Sequence, residues 1–260
     1  MRFPAYRHNL SKIICYLLFL IGISGVSSQI WDRMPRVCGQ IAARSDNIWC
    51  VTNEKELWRW VWGLHDWIWV KADNLRVHNV AVAEDDSVWA VAVNGDVWKY
   101  STNKTWAIIP GANLTMISAI TDTEAIGVDA ADVIWHFTND TWQNFTGEAI
   151  WVSGGIDGDL WAVNRQSQVL HWDEDGWTEQ PTPDGTEIQF VDVYDGGRVV
   201  ATDKNWDLYL WINPEERVLY TQVRGPSWYR LENPHPNCKQ ATLTKTNIIC
   251  VSDTGYINKS

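Results

Sequence analysis

The chain has 260 residues with 32 acidic and 21 basic side chains, a formal net charge of −11. Such a surplus of negative charge repels phosphate backbones and anionic bilayers, so nucleic acid and membrane surfaces are excluded as expected partners. Nineteen residues are tryptophan and five are cysteine, and both types recur at regular places in the chain.

Residues 1–28 carry Arg2, Arg7 and Lys12, then the apolar run Ile13 to Ile23, then small residues through Ser28. This is the layout of a secretory signal peptide, too short in its apolar part to span a bilayer. It predicts a secreted, extracellular chain forming a single domain over 29–260. Losing the leader leaves 18 basic against 32 acidic residues, a net charge of −14. No second apolar run of about 20 residues follows, so no membrane insertion is expected.

Beyond the leader one motif appears six times. It reads as a short strand, a turn and a second strand, each alternating as a half-buried sheet requires. Its reference position is Trp49, Trp89, Ile126, Trp161, Val200 and Ile249, at intervals of 40, 37, 35, 39 and 49 residues. Nine residues on come Trp58, Trp98, Trp135, Leu170 and Tyr209, and two further Trp60, Tyr100, Phe137, Trp172 and Trp211. Another aromatic then opens a third strand at Trp67, Trp106, Trp142, Trp177 and Trp228, and a fourth short run precedes each reference point. Four strands per ~40 residues is the unit of a propeller blade. The expected fold is all-β, a six-bladed β-propeller of four-stranded antiparallel blades. The sixth copy stops at Ser260 without its outer strand, and Ile30 to Pro35 belongs to no other blade. The N-terminal strand is therefore expected to complete the last blade and remove two bare edges.

Cys15 leaves with the leader. Of the four remaining cysteines, Cys38 and Cys50 are twelve apart, as are Cys238 and Cys250, at equivalent ends of a blade's first hairpin. Facing positions on an antiparallel pair have the short Cα separation that a disulfide needs, which predicts Cys38–Cys50 and Cys238–Cys250 at the seam of the ring. Sequons at Asn103, Asn113, Asn139 and Asn144 predict N-glycosylation over the second and third blades, whereas Asn258, inside the closing blade, is expected to stay unmodified.

The pairs Ser87-Val88-Trp89-Ala90-Val91 with Asp96-Val97-Trp98-Lys99-Tyr100, and Gly158-Asp159-Leu160-Trp161-Ala162-Val163-Asn164, resemble the repeat of the tectonin-domain lectins, the egg lectins among them. So does the linker Trp106-Ala107-Ile108-Ile109-Pro110-Gly111 with Leu114 and Ile117-Ser118. The resemblance implies a six-bladed propeller that binds glycans or glycoproteins, without enzymatic activity, cofactor or required metal. Sugar rings stack their C–H faces on aromatics, while their hydroxyls need planar polar partners. Trp62, Trp69 and Trp206 are the tryptophans that the repeat does not require, so they are the stacking candidates. Three residues past the reference point, where the family carries asparagine, the chain has Thr52, Ala92, Asp129, Asn164, Asp203 and Ser252. Asn164, and Asp203 with Asn205 and Trp206, form the best local polar set. The stretch Asn213 to Pro226 lengthens the fifth copy as a recognition loop or a tolerated excursion.

Competing classes have less behind them. Gly155 to Trp161 faintly resembles the Asp-box turn of six-bladed sialidases, yet it lacks the expected Ser and Thr and occurs once. His136 and His171 occupy one repeat position in adjacent blades, shared with Arg59 and Lys99, and read as surface-facing strand residues. No zinc spacing or catalytic triad appears. An extracellular protein-binding scaffold is the main alternative to a lectin, and a monomer is the expected state.

Overall fold

The computed structural model describes residues 32–64, 66–101, 104–155, 157–173, 175–183, 185–194, 198–211, 228–231 and 237–260. The leader over 1–28, Trp31, the sequon at Asn103 and the stretch 213–226 lie outside the described residues.

Alternating apolar runs separated by tight turns give an antiparallel meander throughout. The strands are β1 (Asp32–Val37), β2 (Gln40–Arg44), β3 (Asn47–Val51), β4 (Glu56–Trp62), β5 (Trp67–Val82), β6 (Val88–Ala92), β7 (Asp96–Tyr100) and β8 (Trp106–Asn113). There follow β9 (Met116–Thr121), β10 (Glu124–Val128), β11 (Val133–Thr138), β12 (Thr141–Glu148), β13 (Trp151–Gly154), β14 (Leu160–Val163), β15 (Val169–Asp173) and β16 (Gly176–Gln180). The last are β17 (Ile188–Val193), β18 (Val199–Asp203), β19 (Leu208–Trp211), β20 (Trp228–Arg230), β21 (Cys238–Leu243), β22 (Ile248–Ser252) and β23 (Tyr256–Lys259).

Three four-stranded sheets take their strands in sequence, β9 to β12, β13 to β16 and β17 to β20. A seven-stranded sheet runs from β2 to β8 and turns on β5, whose residues 67–71 pair with β4 while 77–82 pair with β6. The last sheet has the order β1-β23-β22-β21, with Arg33 opposite Asn258 and Met34 opposite Ile257. β1 is thus the outer strand of the final sheet, as the sequence predicts, although it occupies Asp32–Val37 rather than stopping at Pro35.

The inner strands are stitched into a closed cycle by one repeated bond. Gln40 accepts a hydrogen bond from the Val80 amide (3.0 Å), Asn79 from Ile117 (3.0 Å), Ser118 from Gly154 (3.1 Å), Ser153 from Val193 (3.0 Å), Asp192 from Leu243 (2.8 Å), and Gln240 from Ile41 (3.2 Å). Each side chain satisfies an amide that the neighbouring inner strand leaves unpaired, which removes the cost of burying it.

Apolar packing lies between sheets rather than in one central core. Trp49 is 1% exposed and sits edge-on to Tyr100 and Trp106 of the following strands (5.5 and 6.0 Å). Trp89 meets Phe137 (5.3 Å), and Trp161 meets Trp211 and Trp228 (5.0 and 5.9 Å). Aliphatic residues fill the reference position elsewhere: Ile249 packs beside Trp58, Trp60 and Trp69, Ile126 beside Trp172 and Trp177, and Val200 beside Leu210 and Leu243. The Gly of the linker has its own reason. Gly111 (φ +113) and Gly147 (φ +95) bend the outer strands β8 and β12, and a Cβ there would meet the Trp142 or Trp177 ring of the next sheet at 3.4 or 2.7 Å.

The disulfides Cys38–Cys50 and Cys238–Cys250 are both formed, with Cα separations of 5.8 and 5.5 Å. They flank the seam where the final sheet packs on β2.

One assignment is corrected by the register. Trp60 faces Trp69, as Tyr100 faces Trp106, while Trp62 faces Trp67. The third-strand repeat position is therefore Trp69, not Trp67, because the β4–β5 hairpin is longer than its equivalents.

Candidate ligand-binding face

In a four-stranded meander the first and third hairpins project from one end and the second from the other. All second hairpins, at 52–55, 92–95, 129–132, 164–167, 203–206 and 252–255, therefore share one face, the turn face. Trp62, at the end of β4, belongs to the opposite face.

Five of the six turns open on a residue whose side chain accepts a backbone hydrogen bond, and Ala92 opens the other. Asp129 Oδ1 accepts from the amides of Ala131 (2.8 Å) and Val133 (3.0 Å), and Asn164 Oδ1 from Gln166 (3.0 Å) and Gln168 (2.9 Å). Asp203 does the same with Asn205 and Asp207, both at 2.9 Å, and its other oxygen meets the buried Tyr209 hydroxyl (3.4 Å). This is the backbone-directed role for which turns select Asn and Asp. Asp203 is 4% exposed, so it frames the turn from beneath. Burial pushes the Tyr209 phenol up, against a hydrogen bond with Thr186.

Three residues beyond each of these the backbone is left-handed: Lys55, Gly95, Asp132, Ser167, Trp206 and Gly255, with φ between 60° and 88°. Glycine adopts such a φ without strain, and a bulky side chain does so at a cost of about 1–2 kcal/mol. Trp206 therefore stands inside the repeat register, at its strained position, and not outside it as its sequence context suggests. The ring is 40% exposed. Its amide donates to Asp203 O (3.0 Å) and its carbonyl accepts from the Cys238 amide (2.9 Å). Around it lie exposed Asn205, the pair Lys204–Glu187 and the pair Arg230–Asp207 (2.6 Å), in which the Asp207 carboxylate holds the guanidinium above its ordinary value.

The structure thus brings Asp203, Asn205 and Trp206 together, and puts Asn164 on the same face in the adjacent sheet. Trp62, 62% exposed, stands at the opposite face, and Trp69 is packed against Trp60 with ring centroids 5.1 Å apart. Asn113, Asn139 and Asn144 are all exposed; Asn113 Nδ2 donates to Asn94 O (2.9 Å) and Asn139 has φ 51°. Asn258 is half-buried in β23.

On the opposite face His136 Nε2 lies 2.8 Å from Glu124 and His171 Nε2 2.5 Å from Asp159, each within its own sheet. Asp85 spans two sheets, accepting from the amides of Ser87 (3.0 Å) and Asp122 (2.7 Å). Burial raises the Asp85 carboxyl, but these hydrogen bonds outweigh it and hold it below the usual aspartate value.

Side chains narrow the central channel. Trp151 and Phe190 stack edge-on at the turn-face end (4.8 Å). Toward the other end, buried Arg44 bonds to Val193 O (2.7 Å), Leu243 O (3.2 Å) and Asp192 (3.3 Å). The cavity between them holds about 30 Å³, room for roughly one water molecule. Among the described residues no three His, Cys, Asp or Glu side chains converge as a metal site.

No protein-family model matches the chain, and no curated protein does. Solved structures are similar to it. A structure of YCF48 bound to D1 peptide aligns over 88% of this chain and 94% of that one, with 12% identity and a TM-score of 0.55. The WD40 propeller domain of Doa1 aligns over 86% and 92%, with 8% identity and a TM-score of 0.56. A chain of the mitotic checkpoint complex aligns over 90% and 93%, with 10% identity and a TM-score of 0.61. At such identities the likeness carries the fold alone. Together with the antiparallel sheets, it makes this chain a β-propeller.

Proposed function

We propose that the chain is a secreted, non-catalytic recognition propeller of the tectonin type, whose turn face binds glycans at Trp206. The observation that carries this reading is the strained, exposed indole itself. An aromatic held at a left-handed position where two equivalent turns use glycine is more costly than the fold requires, and strain of this kind concentrates at functional sites. A flat ring bordered by the Asn205 amide and two ion pairs matches a sugar, apolar on one face and hydroxylated at its edge. The six-blade count is supported by the inner-strand cycle and by the division of the seven-stranded sheet at β5. Two disulfides suit an extracellular protein.

A second reading, a protein-binding scaffold, is favoured by the exposed apolar side chains of the first outer hairpin and by the peptide in the YCF48 structure. A glycan array probed with the mature protein, in parallel with Trp206→Ala, separates the two. Saturable sugar binding lost on substitution supports the lectin. Absence of sugar binding by a folded protein favours the scaffold.

A further inference from the structure

Five of the six turns are held to the following sheet by one recurring bond. An amide at the start of that sheet donates to the carbonyl of the left-handed residue: Val77 to Lys55 (3.0 Å), Leu114 to Gly95 (2.9 Å), Ala149 to Asp132 (3.0 Å), Cys238 to Trp206 (2.9 Å) and Cys38 to Gly255 (2.7 Å). These turns therefore meet the next sheet in one shared geometry.

Two of them show where a side chain at the left-handed position points. A Cβ added to Gly95 would run into the Asn113 side chain, and one added to Gly255 would meet the Val37 side chain at 2.7 Å. Asn113 and Val37 each stand just before the donating amide. Trp206 has the same bond and a similar backbone, φ 67° against 88° and 82°, so its side chain leaves the turn toward the equivalent residue, Asn237. The two differ in one respect. Asn113 folds back over its glycine and donates to Asn94 O (2.9 Å), whereas Asn237 Nδ2 donates to Asp253 (3.4 Å) and Asn237 O accepts from the Asp253 amide (3.0 Å). Asn237 and Asp253 are both exposed. Trp206 thus stands in a cleft between the β17–β20 sheet and the final sheet.

We propose that Asn237 is the second recognition residue of this site, and that it and Trp206 bind an uncharged sugar between them; the inference rests on the glycan reading of Trp206. The indole takes the apolar C–H face of the ring, while the Asn237 amide oxygen accepts from a sugar hydroxyl and Asp253 holds the amide in place. Charge sets the class of sugar. Lys204 and Arg230 are each matched by a carboxylate, Glu187 and Asp207, so Asp253 leaves the border of the cleft net negative. A carboxylated or sulfated sugar is repelled there.

Calorimetric titration of the mature, disulfide-bonded protein with a neutral glycan drawn from an array tests this, beside Trp206→Ala and Asn237→Ala. The expected result for Asn237→Ala is an affinity loss of about tenfold, the scale of one hydrogen bond, with an unshifted melting curve. The side-chain amide resonance of Asn237 in the parent should move as the glycan saturates, a readout that needs no variant to fold. The same glycan capped with sialic acid should bind about tenfold more weakly at low salt, and the gap should shrink as salt screens it. A folded parent that binds no glycan overturns the Trp206 reading and this inference with it. Binding abolished by Trp206→Ala but untouched by Asn237→Ala, a stationary Asn237 resonance, or a sialylated form bound equally well or with a gap indifferent to salt would each overturn this inference alone.

Discussion

The carbonyl of Trp206 accepts a hydrogen bond from the amide of Cys238 at 2.9 Å, so the strained turn of one sheet is moored to the disulfide-bearing strand of the next. The exposed indole is held in place from both sides, by Asp203 beneath it and by the seam beside it. A preorganised ring loses little freedom on binding.

Replacing Trp206 therefore separates recognition from stability. Trp206→Gly should change stability by no more than about 1 kcal/mol, because relief of left-handed strain offsets the added freedom of glycine in the unfolded chain. Trp161→Ala, in the core between sheets, should cost about 3–5 kcal/mol. Titration with an array-identified glycan at full folding should show loss of affinity for Trp206→Gly alone. Equal destabilisation by both changes would make Trp206 a packing residue.

Asp203→Ala removes the acceptor for two turn amides in a buried setting. A cost of about 1–3 kcal/mol is expected by chemical denaturation, with glycan affinity falling because the ring is no longer held. A variant that binds normally would show that the ring's position does not depend on this carboxylate.

Asp192→Ala strips Arg44 of its buried anion and leaves the Leu243 amide without its acceptor. Breaking such a pair from one side should cost about 3–5 kcal/mol. Replacing both members with apolar residues of similar volume should recover much of that loss, and urea unfolding of single and double variants measures the difference.

Stability should also decline on the acid side through Asp85. Its carboxyl lies below the ordinary aspartate value of about 3.9, so the native state favours the ionised form. That contribution is present above the unfolded value and is lost as pH falls through the folded one. Asp85→Asn should be less stable than the parent near neutrality and lose less on acidification. Parallel pH-dependent melting curves for the two proteins would refute the linkage.

Deleting residues 29–37 should unfold or oligomerise the protein. It bares the β23 edge and uncovers Ile257, the register partner of the buried Met34. An unchanged melting curve with unchanged elution would refute closure by the chain start.

Much of this architecture was legible because strand periodicity is local. Trp49, Trp89 and Trp161 mark the buried strand, and the two Cys pairs fall at equivalent hairpin positions that the geometry then bridges. Less was legible where pairing, not spacing, decides. Trp69 was mistaken for an extra ring because a lengthened hairpin moves the partner of Trp60 two residues along. The polar cycle from Gln40 to Gln240 is not legible in the sequence, since four residue types fill one structural role. Trp206 could have been placed correctly: it lies six residues past its reference point, as do Gly95 and Gly255. That constant offset marks a left-handed turn without any coordinates.

Because β1 and β23 share a sheet, β1 lacks its partner until β23, the last strand described, has been made. The Cys38–Cys50 hairpin closes early, from residues twelve apart, but its neighbours across the seam do not yet exist. Long-range pairing of this kind is slow and leaves intermediate edges open. Oxidation of Cys238 with Cys250 is thus the late covalent event, and a nascent chain trapped before it would be an open arc that exposes the apolar face of its first sheet.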